Sequence, residues 1–137
     1  MENSKHFVER RRYPRFVIDL PSEYQMWSNA HTHGGLILNA SERGLLLYSI
    51  GDMAVGARLR ITVLFPQGYE LANFEVAGQV IWKNSDPRPG WEGCRYGAKF
   101  IQIGQEEHWK LRQVLSSQSN LEGWLIKESF REKDMQL

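Results

Sequence analysis

From Phe16 onward, short β-branched and aromatic runs are separated at close spacing by Gly, Pro, Asn and Asp, the pattern of a chain built from many short strands. About seven strands are expected. They fall near Phe16 to Leu20, Ser22 to Trp27, Gly34 to Leu38, Leu45 to Ser49, Arg58 to Phe65, Ala72 to Lys83 (the longest) and Cys94 to Ile103. Turns are expected at Gly51 to Gly56, Pro66 to Tyr69 and Asp86 to Gly90. In the fifth run Arg58, Arg60, Thr62 and Leu64 alternate with Leu59, Ile61, Val63 and Phe65, which gives one apolar and one mostly polar face. Strands this short and numerous must hide their edges, and closing the sheet does so most simply. The expectation is a mainly β fold, a small six- to seven-stranded antiparallel barrel.

After Gly104 the period changes. Trp109, Leu111, Val114 and Leu115 stand among Gln105, Glu106, Glu107, Lys110 and Arg112, which suits an amphipathic helix with acids at its positive end. This helix is expected to close one mouth of the barrel. A break at Ser116 to Asn120 precedes Leu121, Trp124, Leu125 and Phe130, which suit a second short helix. The expected organisation is a flexible basic arm over 1–15, the barrel with its closing helix over 16–118, and a helical extension over 119–137.

The 137 residues, 42% hydrophobic and 12% aromatic, supply a real core, so disorder of the whole chain is not expected. The single Cys94 excludes an intrachain disulfide. No apolar run approaches the roughly 20 residues of a membrane helix and no leader is visible, so a soluble cytoplasmic protein without membrane insertion is expected. Net charge is +1, but residues 1–15 carry +3 and residues 16–137 carry −2. A basic arm precedes a nearly neutral body, which disfavours a broad nucleic-acid footprint. Enzyme chemistry is poorly supplied. His31 and His33 lack a third ligand at a recognisable spacing, Cys94 has no His partner in sequence, and Glu106-Glu107-His108 resembles a helix start. No nucleophile elbow or Walker loop is present.

Two segments can carry binding chemistry. In Arg11-Arg12-Tyr13-Pro14-Arg15 the proline holds Tyr13 extended. Arg11 and Arg15 would then point to one side about 13 Å apart along the backbone. Guanidinium forks bind phosphate oxygens, bind the O6/N7 edge of guanine and stack on purines, so the arm could hold a guanine nucleotide. By itself it is better read as a solvated arm, a non-specific phosphate binder or a basic patch for a partner. The second segment, Asn39-Ala40-Ser41-Glu42-Arg43-Gly44, lies between two expected strands. Asn39 offers a donor and an acceptor to a base edge, Ser41 can donate to a phosphate or cap the turn, and Gly44 permits positive φ or close backbone approach. Such a turn can also aim backbone N–H groups at an anion, or simply be a turn.

Together and in this order, the two segments resemble the PilZ domain, the bacterial receptor module for cyclic di-GMP. That family is marked by Arg-x-x-x-Arg followed by Asp/Asn-x-Ser-x-x-Gly, here Arg11/Arg15 and Asn39/Ser41/Gly44. Only one register fits, since Pro14 and Phe16 stand four residues beyond Arg10 and Arg12. Arg15-Phe16 leading to Leu20-Pro21, Gly44-Leu45-Leu46-Leu47, Val80-Ile81-Trp82 and Tyr96-Gly97-Ala98-Lys99-Phe100 are also similar, over about residues 9 to 116. The resemblance implies a barrel whose arm closes over the ligand, a ligand of charge −2 meeting an arm of +3. It implies that Arg11 and Arg15 contact phosphate and guanine, Asn39 reads a guanine edge, Ser41 bonds near a phosphate or guanine, and Gly44 shapes the turn. A basic residue at Arg10 accompanies, in the family, binding of two stacked ligand molecules, so one or two per chain are expected, leaning to two. No cofactor or metal is implied.

The implied function is that of a cyclic di-GMP receptor and adaptor acting on an unidentified effector protein, with motility, exopolysaccharide, pilus function or transcription as outputs. Two rivals remain at this level. One is a PilZ-like adaptor that binds no ligand, with Leu121, Trp124, Leu125 and Phe130 as a docking or dimerisation surface. The other is a single-stranded nucleic-acid binder with Trp27 or Trp91 exposed near turns, and with Trp82 and Phe100 in the core.

Overall fold

The computed structural model describes residues 14–117. Six strands run in chain order: β1 (Phe16–Met26), β2 (Thr32–Ala40), β3 (Gly44–Ser49), β4 (Arg58–Gln67), β5 (Glu70–Ser85) and β6 (Cys94–Gln102). A helix, α1, follows over 105–117. Every neighbouring pair is antiparallel and the sheet closes in the order β1-β2-β3-β6-β5-β4, so no strand is left as a full-length edge.

The alternation read in the sequence is the one the barrel uses. Leu59, Ile61, Val63 and Phe65 of β4 are buried while Arg58 and Arg60 are exposed. They meet Ile18, Tyr24, Ile37, Leu45, Leu47, Phe74, Val76, Val80 and Tyr96 in one core. β5, at 16 residues, is the longest strand, as expected.

The two strands expected between Phe16 and Trp27 are one. Leu20-Pro21 reads as punctuation, but the chain carries on through it. A bulge lies between Val17 and Leu20, with Asp19 in the left-handed region at φ 44°. β1 pairs with β4 only from Ser22 onward, so at Pro21 that side of the strand has no ladder to lose.

α1 closes the mouth formed by the β2–β3 turn and the ends of β4 and β5. Leu111, Val114 and Leu115 join the core. Lys110 Nζ donates to the Asn73 carbonyl at 3.1 Å, and the Glu75 amide donates to Glu107 Oε1 at 2.6 Å. Two details differ from expectation. Trp109 is 58% exposed: two residues from Leu111 is about 200° around a helix, so the two cannot share a face. The helix also continues through Ser116 and Ser117, where a break was expected. The second helix expected around Leu121 to Phe130 lies outside the described residues.

The opposite mouth is plugged by a hydrogen-bonded knot. The Tyr24 and Ser49 hydroxyls lie 2.7 Å apart, the Tyr96 hydroxyl donates to the Gly51 carbonyl at 2.8 Å, and the Met53 amide donates back to it at 3.1 Å. His33 stacks on Tyr24, its ring centroid 5.2 Å away.

Candidate functional site

The β1–β2 ladder brings the two motifs together. Phe16 stands opposite Ala40 and Val17 opposite Asn39, so Arg15, one residue before the first pair, lies beside the end of β2. Its Nη1 donates to Asn39 Oδ1 at 3.4 Å, across 24 residues of sequence. Arg15 is half-buried and Asn39 is buried. Arg10 and Arg11 lie outside the described residues.

The second motif is a strand end, a turn and a strand start. Asn39 and Ala40 finish β2, where a turn was expected, and Gly44 begins β3. The Ser41 amide donates to the Gly44 carbonyl at 2.9 Å, and Ser41 Oγ accepts from the Arg43 amide at 3.1 Å. Ser41 thus caps its own turn as an acceptor, which leaves its hydroxyl proton for a ligand oxygen. Of the two reasons for Gly44, close approach is the operative one. A Cβ there would sit 2.5 Å from the Ala98 carbonyl oxygen, and its φ is not positive. Glu42 reaches His108 Nε2 of α1 at 3.3 Å and the Phe100 amide donates to the Arg43 carbonyl at 2.9 Å, tying the turn to the helix and to β6.

The corner so formed gathers a half-buried guanidinium with a buried amide and a buried hydroxyl at one end of β2, with the turn held from two sides. These are groups that grip phosphate oxygens and purine edges. Among the described residues, no three His, Cys, Asp or Glu side chains converge as a metal site would require.

Beyond this corner the outer surface carries features that sequence reasoning did not find. Trp82 was expected in the core, yet its indole covers Gly97, where a Cβ would fall 2.3 Å from Trp82 Nε1. Position 97 has no side chain because an indole lies there. Phe100 does pack against the core, partly buried. Further along, Asp86 has a fully enclosed side chain that accepts from Arg88 Nε at 2.8 Å, Arg88 Nη2 at 2.7 Å and Arg95 Nε at 3.1 Å. The Arg88 hydrogen bonds, against the opposing effect of burial, hold the Asp86 carboxyl well below the usual carboxylate range. Asp19, on β1, is pushed up by burial, offset in part by the charge of Arg88. Asp86, Arg88 and Arg95 share the β5–β6 hairpin, but Asp19 and Tyr48, whose ring centroid lies 5.4 Å from the Arg88 guanidinium, are brought to them only by the tertiary fold.

Comparison with known proteins gives the family and the fold. The PilZ domain model matches residues 9–117, and the chain belongs to that family. Its fold is shared by several solved structures. The Bacillus subtilis inhibitor of motility, MotI/DgrA, superposes with a TM-score of 0.69 at 20% identity, covering 82% of this chain and 52% of that one. The PilZ domain of YcgR from Escherichia coli, determined with c-di-GMP, gives 0.62 at 18% identity over 93% of this chain and 99% of its own. MrkH, a c-di-GMP-dependent transcription regulatory factor, gives 0.59 at 15% identity over 79% and 50%. This chain therefore spans about half the length of MotI and MrkH. No curated protein sequence matches it. Among the described residues no helix is long and apolar enough to cross a membrane.

Proposed function

We propose that the chain is a cyclic di-GMP receptor that passes occupancy to a protein partner, a binding module and not a catalyst. The observation that carries this reading is the meeting of Arg15 with Asn39 beside the Ser41 turn, in a chain of the PilZ family. Arg15 and Arg11 supply forks for phosphate and guanine, Asn39 reads a guanine edge, Ser41 donates its hydroxyl, and Gly44 keeps the turn against β6. Arg10 adds a third guanidinium for a second stacked ligand molecule. Engagement of the arginine segment couples ligand concentration to the shape of the surface around the β2–β3 turn. The effector, and whether its output is motility, exopolysaccharide, pilus function or transcription, belong to the partner.

Charge-assisted hydrogen bonds contribute about 1.5–3 kcal/mol each, so several of them can outweigh the ordering cost and give an affinity near micromolar, about −8 kcal/mol. Isothermal titration with cyclic di-GMP tests this. Binding near micromolar is expected, with Arg15→Ala weakening it by about tenfold or more. Silence in the calorimeter, with no displacement of a labelled analogue, would transfer the reading to the adaptor that binds no ligand.

A further inference from the structure

β2 is longer than the strand beside it. Among the described residues its ladder with β3 ends at Leu36↔Tyr48, whereas residues 32–35 pair with β1 alone. The barrel is closed along most of its height, but here a short stretch of β2 has, among the described residues, no neighbouring strand on one side. That side opens on a recess of about 600 Å3 whose lining includes His33, Gly34, Leu36, Tyr48, Ile50 and Trp91; it holds no aspartate, glutamate, lysine or arginine, and its one imidazole, His33, is stacked on Tyr24.

One wall of the recess is aromatic and held in place. Trp91 is 42% exposed, yet it meets Tyr48 edge-on at 5.1 Å and has the Arg88 guanidinium 3.5 Å from its ring centroid. Arg88 is fixed by the enclosed Asp86, and the Tyr48 hydroxyl donates to the Glu92 carbonyl. An exposed tryptophan pinned in this way loses little freedom when covered, which is the property of an interface anchor. Ile50, 72% exposed, faces the same opening.

We propose that this recess docks an extended, uncharged segment of a partner protein, which adds a strand to the open stretch of β2 and places an apolar side chain beside Trp91. The occupant follows from the lining. The Gly34 carbonyl accepts from Ser49 Oγ at a long 3.5 Å, and the backbone donors and acceptors along the rest of this short open side are what an extended backbone matches. The lining holds no acid, lysine or arginine, and Arg88 behind Trp91 is already paired with Asp86, so an ionic side chain entering here would find no counter-charge and the entering side chain must be neutral. The space is there too: a Cβ at Gly34 would meet nothing within 4 Å. Gly34 lies five residues from Asn39 along β2, roughly 17 Å, so this site and the arginine corner can be filled together. The inference does not depend on the identity of the ligand at that corner.

The test uses the full chain. Random short peptides displayed as a library are selected on it, and a selected peptide is titrated into labelled protein by NMR. Selected sequences should alternate neutral apolar residues, and should shift the amides of residues 32–35 and the Trp91 indole. Gly34→Leu fills open space, so its amide dispersion should remain native while peptide affinity falls about tenfold or more, and Trp91→Ala should do the same. The proposal is overturned if no peptide is selected, if shifts map elsewhere, or if both variants bind as the parent does. Self-association in sedimentation that Trp91→Ala abolishes would also overturn it, assigning the recess to a second copy of the chain.

Discussion

Asp86 shows how far one residue can organise a surface. Its enclosed carboxylate holds Arg88, Arg88 holds Trp91, and both lie against the Tyr48 ring. Because its carboxyl lies below the ordinary aspartate value of about 3.9, its contribution to stability is complete above about pH 4 and is lost as pH falls further, through the folded pKa. Asp86→Asn should cost about 1–3 kcal/mol at neutral pH, since it removes hydrogen bonds to charged partners. It should also flatten the acid limb of the stability profile. Urea denaturation at a series of pH values reads both effects, and parallel acid limbs for parent and variant would contradict this account.

At the scale of the element, α1 stabilises the barrel through one face only. Leu111 is fully buried while Trp109, on the other side, stands in solvent. Leu111→Ala should therefore cost about 2–5 kcal/mol, by lost burial and an unfilled cavity. Trp109→Ala should stay within about 0.5 kcal/mol, being an exposed position away from any buried network. Chemical denaturation of the two variants side by side checks the orientation of the helix; a larger loss from Trp109→Ala would mean that the helix packs by another face. Through Glu42 and His108 the same helix touches the β2–β3 turn, so the closing element and the candidate site share a support.

For the whole molecule, the asymmetry of charge matters more than its total. The first 15 residues carry +3 and the remainder −2, and a dianionic ligand is drawn to one end of the chain. If Arg10 serves a second stacked ligand molecule, titration of the parent chain should give two cyclic di-GMP per chain, and Arg10→Ala should reduce this to one. A parent stoichiometry of one would remove that role from Arg10 and leave Arg11 and Arg15 as the arginine pair.

What the sequence by itself determined is local. Period-two alternation in β4, the close-set turns and the change of period after Gly104 each depend on neighbours a few residues apart, so barrel strands and a closing helix were legible without coordinates. The two motif segments stood out only through their order and spacing together, which resemble the PilZ pattern, because an arginine pair or a polar turn taken alone suits a solvated arm or an ordinary turn at least as well. What only the tertiary structure decided is whatever depends on register between distant strands. Whether Leu20-Pro21 ends a strand was settled by a bulge and by where β4 begins to pair, and Trp82 was moved out of the core by a glycine fifteen residues away. The meeting of Arg15 with Asn39, the Asp86 cluster over Tyr48 and the open stretch of β2 arise the same way. Side-chain periodicity says which face a residue takes, but only ring closure, by fixing which strand lies beside which and where each ladder stops, says what that face meets.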